Sequence, residues 1–360
     1  SVIGTGSGTV TKQGSGTWTL SGANTYTGAT TVSAGTLKVG NVAALGPSSG
    51  AGAVSITSGA VLDLNGQSLT NSGTLTIRGT GISSGGALIN SSTTAASYSG
   101  LVALGAASSI IGDSGTIALT NVGTITGATF GLTLGGAQGG SIASIIGTTS
   151  GTVTKQDSGT WTLSGANTYT GTTTVSAGTL AITNATGLGT TAAGTTISSG
   201  ATLDLQNVVV GAEAITINGG TLATSTGTSS LSGNIALGAT NNTFSVTGTQ
   251  LTLSGVISGT SRGITKEGSG VLVLSAANSY SGSTTINAGV LSVSTINSSG
   301  ANSGIGSSTD TASQLIIDGG TLRFTGSAAT TNRLFTVGAN GATIEASGSG
   351  LLTFNNSGQI

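Results

Sequence analysis

The sequence predicts an all-β chain wound as a parallel β-helix, an elongated β-solenoid rather than a ball. Three observations predict it. A 31-residue phrase occurs three times, strand-like alternation fills the stretches between the copies, and short glycine-rich clusters separate the strands. Repetition on this scale marks an array in which each unit buries its apolar face against its neighbours.

The first copy runs from Thr9 to Val39 as TVTKQGSGTWTLSGANTYTGATTVSAGTLKV. The second runs from Thr152 to Ile182, and a looser third from Gly263 to Val293. Inside the phrase, Trp18-Thr19-Leu20-Ser21 and Thr36-Leu37-Lys38-Val39 alternate apolar with polar, the period of a half-buried strand. Val54-Ser55-Ile56, Leu62-Asp63-Leu64, Thr74-Leu75-Thr76-Ile77 and Leu251-Thr252-Leu253 do the same between copies. Corners fall at Ser21-Gly22-Ala23-Asn24, Ser33-Ala34-Gly35 and Thr57-Ser58-Gly59-Ala60, where Gly and Asn accept positive φ cheaply. No segment carries a capped helical period.

Strands this short also suit a sandwich or barrel. The repeats decide the matter, because stacked coils place matching residues at matching corners. Gly35-Thr36-Leu37, Gly178-Thr179-Leu180, Gly220-Thr221-Leu222 and Gly320-Thr321-Leu322 read as one corner used repeatedly. Asn24, Asn167 and Asn278 are expected at a turn, with their amides bonded to local backbone. The copies are unevenly spaced, as expected if the coil is the unit that is gained or lost. A related block follows each copy, at Leu45 to Leu64, Leu188 to Leu205 and Ile305 to Phe324. At about 20–25 residues per coil, residues 1–360 form one continuous solenoid of about 14–18 coils, roughly 70–85 Å long at ~4.8 Å per coil.

Composition bounds the chemistry. Of 360 residues, 65 are Gly and one is Pro, with no Cys, Met or His. Absent Cys excludes disulfides and thiolate metal sites. Charged residues are 5% and the net charge is −1, so there is no electrostatic case for nucleic acid or an anionic membrane. Hydrophobic residues are 36%, enough for a core made of small repeated pieces rather than a disordered chain. No apolar run approaches the ~18 residues of a membrane helix. The first residue is not Met and no charged-then-apolar leader follows it, so the chain is expected to be a mature secreted product or a fragment of something larger.

The phrase resembles the passenger-associated transport repeat, also called the autotransporter-associated β-strand repeat. Its pattern of a Gly-x-Gly-Thr-Leu-like strand, Ser-Gly-x-Asn-x-Tyr-x-Gly, a Thr/Ser strand and Ala-Gly-Thr-Leu stands at Gly14 to Leu37, Asp157 to Leu180 and Gly268 to Leu291. The third copy departs with Leu272, Ala276 and Val290 where the first has Trp18, Gly22 and Thr36. The resemblance implies a single right-handed parallel β-helix, export across two membranes, and display at or release from the surface of a Gram-negative-type bacterium. Long amphipathic strands of a membrane barrel are not found in this chain.

The structural repeat positions of the first copy are Trp18, Leu20, Asn24, Tyr26, Gly28, Gly35 and Leu37. Those of the second are Trp161, Leu163, Asn167, Tyr169, Gly171, Gly178 and Leu180. In the third they are Leu274, Asn278, Tyr280, Gly282, Gly289 and Leu291. Tryptophans and tyrosines are read as core or corner packing rather than a sugar platform. Lys12, Lys155 and Lys266, which open each phrase, are read as exposed strand-edge charge, with partner binding as the alternative.

No catalytic, cofactor-binding or metal-binding residue is assigned. Gly112-Asp113-Ser114-Gly115 resembles a chymotrypsin-type nucleophile motif, but a chain without His cannot form the relay, so the segment is read as a turn. Asp63, Asp113, Asp204, Asp310 and Asp318 are scattered beside turns. Asp63 and Asp204 hold equivalent positions where the third copy has Arg323, which points to a solvated face rather than a carboxylate pair. Calcium-binding nonapeptides are missing. Thr-x-Thr runs raise an ice-binding alternative, although they do not recur on every coil.

The expected function is a structural and adhesive rod outside the cell. The alternative is the stalk of a secreted enzyme whose catalytic part is elsewhere. The last residues, Leu351 to Ile360, resemble those preceding the second and third phrases, and Ser1-Val2-Ile3-Gly4 resembles Ser144 to Gly147. Residue 360 therefore reads into residue 1. Expected partners are a second copy stacked end to end or the continuation of a longer chain, and a glycan or cell-surface ligand. Nucleic acid is not expected, nor is insertion of this segment into a membrane.

Overall fold

The computed structural model describes residues 1–358. The part of the expected read-through that involves Gln359 and Ile360 lies outside the described residues. Regular structure is almost wholly short β-strand. Two 3-10 turns, Ile82–Ser84 and Ala312–Gln314, are the helical elements among the described residues. No described helix is long and apolar enough to cross a membrane.

The first repeat shows how the sequence makes a coil. Its strands are β1 (Val10–Lys12), β2 (Thr17–Leu20), β3 (Thr30–Val32) and β4 (Thr36–Val39). β1 pairs parallel with β3, and β2 with β4, so one coil lies directly on the next. Gly35, at φ 65°, turns the chain into β4; Gly178 and Gly289 do so at φ 61°. The expected shared corner holds for these three and not for Gly220 and Gly320. There the left-handed residue is the preceding glycine, Gly219 (φ 80°) or Gly319 (φ 92°). All five corners hold three residues between strands, and the left-handed residue is the third of them in the repeat phrases and the second in the other two.

The chain forms two compact units, Ser1–Ala192 and Ala193–Ile360. In the first, one ladder climbs Val10, Thr30, Val54, Leu75 and Val102 through parallel pairs. A second climbs Leu69, Tyr98, Leu119, Ile142, Leu163 and Ile182. In the second unit, Leu231, Leu253, Leu274, Val293 and Phe324 stack in the same way. Apart from Val10, half-buried in the first coil, these inward side chains are buried, and most residues between them are more exposed. Period-2 alternation within strands and parallel pairing between coils are what make each unit a β-solenoid.

Two coils carry insertions. In the first unit, Gly79 to Leu88 bulges out through the 3-10 turn at Ile82–Ser84, and the ten-residue strand Val102–Ile111 spans both sides of the bulge. In the second, the coil between Thr284 and its partner Leu315 carries an excursion ending in the other 3-10 turn.

Candidate functional site

The repeat phrase proves to be a set of internal fasteners. Lys12, Lys155 and Lys266 are each fully buried, contrary to the strand-edge expectation. The Lys12 ammonium donates to the carbonyls of Gln13 (2.8 Å), Gly14 (2.6 Å) and Ala34 (3.0 Å). Lys155 donates to Gln156 (2.8 Å), Asp157 (2.7 Å) and Ala177 (2.9 Å). Lys266 repeats this with Glu267, Gly268 and Ala288. Each ammonium fills its three donor positions with backbone oxygens of two adjacent coils. Burial pulls Lys155 and Lys266 down to about 8, opposed by the charges of Asp157 and Glu267, so both remain cationic at neutral pH. The signal was present in the sequence. Lys12 shares the inward parity of Val10, as Lys155 does with Val153 and Lys266 with Ile264.

Asn24, Asn167 and Asn278 are also buried, and their amides bond across coils rather than locally. Asn24 accepts from the Ile3 N–H (2.8 Å) and donates to the Ala44 carbonyl (2.7 Å), 21 and 20 residues away. Asn167 joins Ile146 to Gly187, and Asn278 joins Ile257 to Gly304. A primary amide offers one acceptor and two donors, so it can pair backbone both below and above itself at a corner where the strand ladder lapses.

Tyr26, Tyr169 and Tyr280 are fully buried, as expected for corner packing. Their hydroxyls meet Thr30, Thr173 and Thr284 at 2.6–2.7 Å. Gly28, Gly171 and Gly282 lie so close to backbone of the preceding coil that a Cβ would collide with it. Leu37, Leu163, Leu180, Leu274 and Leu291 are core, and Leu20 is half-buried.

Trp161 meets the packing expectation. It is fully buried over Gly140 and donates its indole N–H to the Gly135 carbonyl (3.0 Å). Trp18 departs from it, being 51% exposed. The strand of Trp161 is flanked on both sides, whereas among the described residues β2 pairs only with β4. Lys12 Nζ lies 5.7 Å from the Trp18 ring centroid.

Asp63 and Asp204 are buried, not solvated. Each takes the N–H and hydroxyl of one serine on the next coil, Ser91 at 3.0 and 2.6 Å and Ser225 at 2.9 and 2.6 Å. Lys38 stands 3.6 Å from Asp63. Arg323, at the third position, instead donates to Glu345 at 2.8 Å. These groups fasten coils to one another.

Two buried groups escaped the sequence reading. Glu213 accepts from the Thr195 hydroxyl (2.8 Å), and burial pushes its carboxyl up to about 7 against that bond. Arg333 pins the long excursion through Asn297 (2.8 Å), Ser308 (2.7 Å) and Gly306 (2.8 Å). Neither lies in a repeat phrase, so no second copy marked it.

The outward positions tell a different story. Thr11, Thr31, Ser55 and Thr76 lie in one file, and Thr133, Thr154 and Thr174 in another. In the second unit Thr196 and Thr216 stack, as do Thr243, Thr265 and Thr285. Each file runs over two to four coils, and alanine continues two of them, Ala103 above Thr76 and Ala236 above Thr216. Gly112 to Gly115 is a bend, as expected, and no group of His, Cys, Asp or Glu among the described residues is placed to hold a metal.

The model of the passenger-associated-transport-repeat family matches residues 10–39, 153–182 and 264–293. The chain is 34% identical over 221 residues to the adhesin BmaC autotransporter of Brucella suis biovar 1 (strain 1330), which covers 60% of this chain and 6% of that protein. No solved structure matches it. The chain is thus a β-solenoid segment carrying three passenger-associated transport repeats, of the kind that autotransporter passengers carry.

Proposed function

We propose that this segment is an adhesive part of a passenger displayed at the surface of a Gram-negative-type bacterium, and that it binds rather than catalyses. The observation that carries this reading is the division of labour between inside and outside. The repeat lysines and asparagines, with Asp63 and Asp204, are turned inward as fasteners, and files of hydroxyls are turned out. Such a face gives many weak, uncharged contacts that add up through repetition along the solenoid. The adhesin named among its relatives supports the reading. That relative is far longer than the matched region, which supports continuation into a longer chain.

Beads coated with the purified chain should adhere to host-type cell layers and extracellular matrix above beads coated with an unrelated β-solenoid. Equal adhesion of the two would overturn the adhesive role.

A further inference from the structure

The first unit contains an open pocket of about 410 Å³ where its insertion meets two bends. The insertion contributes Ser84, the strand that follows it Ile89, the bend after Ile111 Asp113 and Ser114, and the second repeat Gln156 and Asp157. Ile89 and Ile111 supply apolar surface. Insertions in solenoids emerge as loops on one face, often the binding face.

The second repeat breaks its own rule here. Asp157 has φ 60°, in the left-handed region, where the other copies use Gly14 (φ 70°) and Gly268 (φ 77°). Glycine is the unstrained choice at this corner. Ser84, across the pocket, has φ 62°.

The polar lining is partly spent and partly free. Asn90 and Ser91 are committed to the frame, bonding Gly66, Thr94 and Asp63. Ser84, Ser114 and Gln156 make no side-chain hydrogen bond among the described residues. One oxygen of Asp157 accepts from Gly136 and one of Asp113 from Ala137; both side chains are exposed, and the second oxygen of each bonds no other protein group. No cation lines the pocket, since the Lys155 ammonium is turned away onto backbone carbonyls.

We propose that this pocket binds neutral, hydroxyl-rich sugar units at glycan ends. Free carboxylate oxygens accept from sugar hydroxyls, the Gln156 amide and the serine hydroxyls serve as donors or acceptors, and the isoleucines meet the C–H face of a ring. The volume lies within the ~300–1,000 Å³ of small-ligand sites. Two carboxylates without a cation disfavour sialylated or uronic sugars. The inference rests on the adhesive reading and gives it a location.

The test uses the whole 360-residue chain. Saturation-transfer NMR is run with the methyl glycosides of galactose, mannose and N-acetylglucosamine, and with sialyllactose. The wild type should receive transfer from at least one neutral glycoside. The variant combining Asp113→Ala, Gln156→Ala and Asp157→Gly should bind that sugar at least about tenfold more weakly, the loss that one or two hydrogen bonds carry. Asp157→Gly restores the residue of the other copies, so the fold is retained, which thermal unfolding verifies. Unchanged binding by the variant, transfer from none of the neutral probes, preference for sialyllactose, or binding only when calcium is added would each overturn the proposal. Bead adhesion separates this from the broader reading. A variant that still adheres like wild type removes the pocket alone, whereas wild-type beads that fail to adhere remove the adhesive function.

Discussion

Substitution of Lys155 by methionine asks whether the buried ammonium is a fastener or a burden. Methionine keeps the length and apolar stem of lysine, so the core stays filled. It leaves the carbonyls of Gln156, Asp157 and Ala177 without their donor. Hydrogen bonds from a charged donor are worth about 1.5–3 kcal/mol each, giving about 4.5–9 kcal/mol for three. Against this stands the cost of keeping an ammonium from water. Lys155 is pulled from 10.5 to about 8 by burial, a shift equivalent to about 3 kcal/mol. The balance is a loss of about 1.5–6 kcal/mol, a range that includes the ~3–5 kcal/mol seen when one partner of a buried charge interaction is removed. Solenoids unfold regionally, so the assay is hydrogen exchange alongside urea denaturation. Lys155→Met should accelerate exchange in Val153–Lys155 and Thr173–Val175 at least tenfold and leave the Gln250–Leu253 strand unchanged. Lys266→Met should show the same loss around Gly263–Glu267 and Thr284–Ile286. A variant within about 0.5 kcal/mol of wild type, with unchanged exchange, would show that solvent replaces the ammonium and that the triple contact carries nothing.

The other fasteners give smaller tests. Asn167→Ala removes bonds to Ile146 and Gly187 and should cost about 2–3 kcal/mol, seen as faster exchange of the Ile146 amide. Tyr26→Phe removes the hydroxyl contact to Thr30 and should cost about 1 kcal/mol in urea denaturation, clearly less than the asparagine. Glu213 titrates near 7 folded against 4.5 unexposed to the fold, so the folded state holds the extra proton between these values. Stability should therefore fall as pH rises from about 4.5 to 7, by about 3 kcal/mol in total. Glu213→Gln should flatten that dependence and be the more stable form at pH 7.5; an unchanged pH profile would refute the assignment.

The solenoid was legible because its signals are local and repeated. Strands at Thr36–Val39, Val54–Ile56 and Gln250–Leu253 follow from alternation, and the three copies required coils that stack. What the sequence reading missed concerns partners about 20 residues away. An asparagine at a corner looks like a local turn former, because its bonds to the coils above and below exist only once the coils are stacked. Lysine and aspartate were assigned to water on the general rule that charge is rarely buried without a partner. Here the partners are backbone carbonyls and serines that no charge count reveals. Inward parity placed Lys12 beside Val10 all along, and in a coil this narrow parity outweighs polarity. The same logic isolates Asp157. Inside the core, copies agree because every coil must fit the next. At the outer corner of the second copy, aspartate stands where glycine would relieve the backbone. It caps the Gly136 N–H with one oxygen and leaves the other facing open space. The carboxylate charge also favours the buried Lys155 ammonium, so one oxygen serves the fold and the other is left at the mouth of the pocket for a ligand.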